Sequence, residues 1–483
     1  MSLDTEIAII GTGFSGISMA VHLQKLKMNQ FTIFEKSDRV GGTWRENTYP
    51  GSACDIPSYL YSFSFAPNRN WSKRNAEQPE ILEYIEKVFK KYHLDQQTLF
   101  QKEIVKAEFD DSQGRWFLTD QEGMQYRCKV LITCCGQLSR PMLPPIQGLK
   151  TFQGEVFHSA NWNHDYDLKG KSIGIIGNGA SAIQIVPRIV KDVKRLTIFQ
   201  RSAHWILPKL DPSFSQPQKF MLAHLPGFHH FYRWYLYVTH EARFFGLYRG
   251  SILAKWYQHR VQQQLKKQIT CSESRKLLIP DYPIGCKRTL ISSEYYSAIQ
   301  NSNVYLVNSP ISKIGQDAIY TLQSSYTVDG IILATGFKST EFLSPMTITG
   351  LHQQNLNKVW EKGAEAYLGM TVTGFPNFFM LYGPNTNLGH NSILLMIESQ
   401  SRYISQCVKM IFSKNLKYLN TSPAASLNYN QMIQRKMQKT AWTSGCHSWY
   451  MNTDGKIVNN WPYFTWSYLF KTRRPHWNDF EFC

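Results

Sequence analysis

Two glycine-rich loops of one design, 166 residues apart, constrain this 483-residue chain more than any other feature of its sequence. The first is Gly11-Thr12-Gly13-Phe14-Ser15-Gly16, entered from the apolar run EIAII and left through ISMAVHLQKLK, whose apolar residues recur at helical spacing. A strand that turns through such a loop into a helix uses each glycine differently. The first permits the tight turn, the second lets backbone N–H groups approach a pyrophosphate, and the third lets helix pack on strand. FTIFEK then reads as a second strand, ending in Glu35 where a carboxylate can accept hydrogen bonds from a ribose. KSIGIIGNGASAIQIVPRIV repeats the unit, carrying Gly11 to Gly177, Gly13 to Gly179, Gly16 to Ala182 and Glu35 to Arg201.

The exchange of Glu35 for Arg201 separates the two copies chemically. An acid suits a free ribose hydroxyl, whereas an arginine, here with Ser202 beside it, suits a 2′-phosphate. The expectation is an α/β chain with two Rossmann-like dinucleotide-binding domains, the first for FAD and the second for NADP. The FAD domain would take residues 1–149 and, with the C-terminal region, 337–483. The NADP domain would take 150–203 and 286–336, interrupted by a helical insertion at 204–285.

That insertion is rich in aromatic residues and histidine (FHHFYRWYLYVTHEARFFGLYRG). Packing on itself is the expected arrangement, ahead of contact with a membrane surface. No uninterrupted apolar run reaches spanning length, and the N-terminus enters a strand pattern at once, without the features of a secretory signal. The formal charge is +18, but Lys and Arg are spread along the whole chain, which argues against a nucleic-acid partner and for a basic surface that attracts anionic cofactors. Nine scattered cysteines with no CxxC spacing fit a reducing cytoplasm, and fourteen histidines show no metal-ligand spacing, so no metal is expected.

Two dinucleotide modules in one chain imply hydride transfer from NADPH to flavin. A disulfide reductase would need two closely spaced reactive cysteines in the first module. Cys134 and Cys135 are adjacent but end an apolar strand, and Cys54 has no neighbour.

Between the modules lies Phe152-x-Gly154-x-x-x-His158-x-x-x-Trp162. It resembles the identifying motif of type I Baeyer-Villiger monooxygenases. Gly41-Gly42-x-Trp44, Tyr49-Pro50-Gly51, Asp55, Lys287-Arg288 and Ser448-Trp449-Tyr450 extend the resemblance over nearly the whole chain. Two positions depart from it: Asn163 follows the tryptophan in place of proline or aspartate, and Thr133-Cys134-Cys135-Gly136 stands where Ala-Thr-Gly is usual, a change expected to alter packing more than chemistry.

The resemblance implies an NADPH- and O₂-dependent enzyme that inserts oxygen next to the carbonyl of a small apolar ketone, giving an ester or lactone through a flavin C4a-peroxide. It implies Arg288 as the active-site cation and Asp55 as its acid partner. Gly11, Gly13, Ser15, Gly16, Glu35, Gly42, Trp44 and Tyr61 would hold the flavin cofactor. Gly177, Gly179, Ser181, Arg201, Ser202, Lys287 and Trp449 would hold NADP. Phe152, Gly154, His158 and Trp162 would act as a hinge between the modules, not as catalytic groups. The alternatives are oxygenation of sulfides or amines, which needs no arginine, and an NADP-binding redox module without turnover.

Overall fold

The computed structural model describes residues 3–446 and 448–483. Two five-stranded parallel sheets carry the repeated design. In the first the strand order is Phe378–Met380, Val130–Thr133, Ile7–Ile10, Phe31–Phe34, Thr98–Leu99. In the second it is Glu155–His158, Gly330–Leu333, Ser172–Ile176, Arg195–Phe199, Val304–Val307. Each glycine-loop strand is therefore central, with its return strand on one side and its second strand on the other, and the register repeats with the loops. All four residues of Ile7–Ile10 and of Val130–Thr133 are buried. Such unbroken apolar runs are what strands covered on both faces require.

The first loop helix, Phe14–Lys25, packs against the long helix Ile393–Ser413, where the Ser18 and Ser401 hydroxyls meet at 2.8 Å. Ser392 caps that long helix through the Leu394 N–H. The aromatic C-terminal region joins the body as its composition suggests, with Trp461 and Tyr468 fully buried and Phe480–Phe482 pairing with Leu419–Thr421.

The structure departs from the sequence reading in three places. The alternation in RWFLTD predicts a strand returning to the first sheet, but Arg115–Asp120 lies in a separate mixed sheet between Ile104–Asp110 and Gln125–Cys128. Alternation marks a strand but not the sheet it joins. Cys286 and Cys446 form a disulfide, although 160 residues separate them; a pairing made only by the fold leaves no trace in spacing. Segment 204–285 is helical, with helices Gln216–His224, Phe228–Ala242, Ile252–Gln268 and Ser272–Leu278. Its buried side packs on the first module and the C-terminal region instead of only on itself: Leu236 joins the core beneath the first sheet and Phe244 meets His390 and Phe464, while Phe231, Trp234 and Tyr235 are exposed.

Candidate functional site

The two glycine loops share their backbone geometry. Gly11 and Gly177 have φ of +105° and +109°, and a Cβ on either would stand 2.8 Å from the Cys134 carbonyl oxygen or 2.3 Å from that of Ala334. Only glycine fits. Cys134 and Ala334 occupy equivalent places after the return strands, so the departure at 133–136 is a matter of packing around Gly11. A Cβ on Gly16 would overlap the Gly11 carbonyl, whereas the second copy tolerates Ala182. Gly13 and Gly179 head their helices with no side-chain cap, and a Cβ at Gly179 would meet nothing within 4 Å. Uncapped helix N–H groups fit a bound pyrophosphate at both loops, beside open space at Gly179 and beside the Gly42 backbone at Gly13. Ser15 is buried in the first turn of its helix, and Ser181 lies within hydrogen-bonding reach of the Tyr49 hydroxyl.

Glu35 is buried and braces the first loop. It accepts hydrogen bonds from Thr12 N (2.9 Å), Thr12 Oγ1 (2.6 Å) and Ser37 N (3.0 Å), and pairs with Arg45 at 3.3 Å. Arg45 belongs to a short helix, Thr43–Glu46, although the glycines, proline and aromatics of residues 41–55 predict an irregular loop. The same stretch sets the flavin-side wall: Gly42 presses on Gly13, and Trp44 Nε1 donates to the Tyr61 hydroxyl at 3.1 Å. The Tyr61 ring meets Phe14 edge-on at 5.2 Å.

The loop then crosses between the sheets. Tyr49 donates to Gln184 Oε1 (2.9 Å), Gln184 Nε2 donates to the Ala53 carbonyl (3.1 Å), and Thr48 Oγ1 meets His164 Nε2 (2.8 Å). Gly51 has φ +82°, and a Cβ there would lie 2.5 Å from the Gln184 carbonyl oxygen. The first module thus lays its loop on the second module's helix, Ala180–Ile189. Gln184 carries no motif and sequence reasoning missed it.

This crossing delivers Asp55 to Arg288, 233 positions away, with Arg288 Nη2 donating to Asp55 Oδ2 at 2.6 Å. The Arg288 side chain keeps 42 % of its surface open, whereas that of Asp55 keeps 17 %, so the carboxylate anchors a guanidinium that remains accessible. Burial works against the charge, but Asp55, with Tyr450 and Tyr382 nearby, outweighs it, and the guanidinium is held above its already high pKa. Next to Asp55, burial pushes the Cys54 thiol up to about 12.

At the second module, Lys287 Nζ donates to Ser202 Oγ at 2.8 Å and sits 4.5 Å above the Tyr282 ring. Its pKa is lowered, first by burial, with the nearby Arg201 charge adding to the effect. Arg201 itself is exposed. Asn178 ties the loop to this corner, donating to Gln200 Oε1 (2.7 Å) and the Ser202 carbonyl (2.9 Å). The disulfide joins the residue before Lys287 to Cys446, three positions before Trp449. Trp449 is half-buried against Tyr450, with ring centres 4.5 Å apart, and its carbonyl accepts from Ser339 Oγ at 2.8 Å.

The stretch between the modules is the edge strand of the second sheet, with His158 opposite Leu333. Phe152 is buried under that sheet, and a Cβ on Gly154 would lie 2.4 Å from the Asp329 carbonyl oxygen. Trp162 packs edge-on against Phe157 at 5.0 Å. His158 Nδ1 accepts from Ala160 N (3.0 Å), while its Nε2 is buried without a protein partner, and burial lowers its pKa. Its ring lies 5.8 Å from Phe337, on the crossover back to the first module.

The family model described as pyridine nucleotide-disulphide oxidoreductase matches residues 8–217. Cys134 and Cys135, the adjacent pair within that span, are free thiols pushed up by burial, Cys135 to about 12, the opposite of what a reactive thiolate needs. A Baeyer-Villiger monooxygenase of Pseudomonas aeruginosa is 42% identical over 472 residues, covering 97% of this chain and 90% of that protein. One of Streptomyces coelicolor is 38% identical, covering 97% and 91%. Among solved structures, an oxidized steroid monooxygenase bound to NADP matches 99% of both chains with a TM-score of 0.88 at 26% identity. With glycine loops, crossing loop and arginine in one arrangement and relatives alike over nearly their full length, the chain belongs to the Baeyer-Villiger monooxygenase family.

Proposed function

We propose that this chain is an FAD-containing, NADPH- and O₂-dependent monooxygenase that inserts one oxygen atom next to the carbonyl of a small apolar ketone, giving an ester or lactone. Residues 1–149 and 337–483 make up the FAD side, 150–203 and 286–336 the NADP side, and 204–285 the helical insertion. FAD is held by the loop Gly11 to Gly16 with Ser15, Glu35, Gly42, Trp44 and Tyr61. NADP is held by the loop Gly177 to Ser181 with Gly179, Arg201, Ser202, Lys287 and Trp449. Bound together, the cofactors supply hydride transfer and oxygen activation.

The chain's own contribution is electrostatic. Attack on a ketone carbonyl places negative charge on oxygen, and the Arg288 guanidinium, fixed by Asp55, stabilises that charge without reorganising. The pair Arg288–Asp55 at 2.6 Å is the observation that carries the reading. It favours ketone oxygenation over oxygenation of sulfides or amines, which needs no such cation. Lys287 and Arg201 neutralise the 2′-phosphate and so select NADPH over NADH. Phe152, Gly154, His158 and Trp162 couple movement of the NADP side to the flavin side. A cytoplasmic location is supported by the NADPH requirement and by seven free cysteines out of nine, against which the Cys286–Cys446 disulfide stands as a contrary feature.

Product analysis with NADPH, O₂ and a panel of linear, cyclic and aryl ketones tests the proposal. Esters or lactones are expected with at least one class. NADPH consumption that yields only hydrogen peroxide with every ketone overturns it.

A further inference from the structure

We propose that the outer face of the helical insertion, continued by the helix Thr465–Lys471, docks this enzyme onto an anionic lipid surface. Phe231, Trp234, Tyr235 and Val238 recur at the spacing of one helical face, and all four are exposed, Trp234 at 58 %. The face does not end with its helix. Phe245, exposed on the following turn, meets Phe464 at 5.1 Å, and Phe464 meets Trp466 at 6.1 Å. Glu241, near the C-terminal end of Phe228–Ala242, accepts from the Trp466 N–H at 3.3 Å, which locks the two helices together. One turn beyond Trp466, Phe470 is 76 % exposed. Of the ten exposed aromatic side chains among the described residues, eight lie on the insertion or on Thr465–Lys471. Single exposed apolar residues need no explanation, but a contiguous aromatic face built from two helices marks a binding surface.

Charge selects the occupant. Between Asp211 and Glu273 the chain has eight Lys and Arg and one carboxylate, Glu241, which is buried and bonded to Asn391 Nδ2 at 2.7 Å. Between Asp454 and Asp479 there are four Lys and Arg and no carboxylate. Lys471, Arg473 and Arg474, which follow Phe470 in the chain, and Arg249, which follows Phe245, are all exposed. Tryptophan and tyrosine settle at the level of lipid headgroups, and a basic rim adds attraction to anionic ones. No helix of the described residues is long and apolar enough to cross a membrane, so the contact is peripheral. A bilayer also dissolves the apolar ketones expected as substrates, which places enzyme and substrate at the same surface.

The test is co-sedimentation of the FAD-loaded full-length enzyme with phosphatidylcholine vesicles that do or do not contain phosphatidylglycerol. Binding to the anionic vesicles at least about tenfold tighter than to pure phosphatidylcholine, weakened as salt rises, is expected. The double variant Trp234→Ser, Phe470→Ser should lose that binding yet bind FAD and turn over a water-soluble ketone at the wild-type kcat, which separates lost docking from lost folding. Absence of vesicle binding overturns the proposal. So does a concentration-dependent dimer, without vesicle binding, that the double variant abolishes; the face would then be a contact between two copies of the chain. Vesicle binding that the double variant retains also overturns it, because the aromatic face would not be the docking surface.

Discussion

Asp55 and Arg288 show how two residues that each have an ordinary reading acquire a joint role. Alone, Asp55 is a turn acid and Arg288 a neighbour of a phosphate-binding lysine; at 2.6 Å they are an anchored, accessible cation. Asp55→Asn keeps a hydrogen-bonding shape but removes the charge that steadies the guanidinium. Ester formation should then fall about tenfold or more, a barrier change of about 1.4 kcal/mol, with little change in the Kd for NADPH; unchanged kcat for the ester would show that Arg288 needs no anchor. Spacing made the glycines legible, while Asp55 and Arg288 were legible only through the resemblance to the family. Gln184 and Asn178 were not, because uncharged amides that tie loops together follow no spacing rule. Burial at His240 makes a separate prediction about acid. The ring is 1 % exposed, and desolvation, followed by the nearby Arg243 charge, lowers its pKa to about 3 from an ordinary 6.5. Above pH 6.5 folded and unfolded chains are both neutral there, and the site costs nothing. As pH falls below 6.5 only the unfolded chain takes up the proton, so stability is lost, by about 1 kcal/mol at pH 5.5 and more towards pH 3. His240→Gln should remove that part of the decline when urea midpoints are compared at pH 7.5 and 5.5, and parallel declines would contradict it.

At the level of elements, the duplicated strand–loop–helix units were readable because glycine geometry, apolar runs and helical spacing all agree within each unit. The separate mixed sheet containing Arg115–Asp120 was not, since its partners lie outside that unit. The disulfide is the other element-scale finding. It ties the strap carrying Lys287 and Arg288 to the segment carrying Trp449, so both sides of the proposed NADP site are held by one covalent bond. Cys446→Ser should raise the KM for NADPH several-fold while changing kcat less, and should lower the melting temperature. An unchanged KM with a lowered melting temperature would mean that the bond serves stability alone.

For the whole molecule, the fold class followed from the repeat, but the way the halves meet did not. The contact is made by Tyr49, Gly51 and Ala53 lying across Ala180–Ile189, and neither partner's pattern points to the other. Together with the edge strand Glu155–His158, this contact makes the junction between the two sheets. His158, buried with an unpartnered Nε2 against the crossover at Phe337, is the residue through which the hinge is proposed to act. His158→Ala should leave NADPH oxidation running but raise the share of it lost as hydrogen peroxide, measured against ester formed. Unchanged coupling would dismiss the hinge and leave the assigned chemistry intact.

The measurement closest to the central claim is a comparison of wild type and Arg288→Ala with one accepted ketone, following NADPH binding and ester formation in the same preparation. The variant should keep its yellow flavin and bind NADPH within a few-fold of wild type, while ester formation drops by about 10²- to 10³-fold, as expected when a preorganised charge at a developing oxyanion is removed. Ester formation that survives in Arg288→Ala would contradict the account.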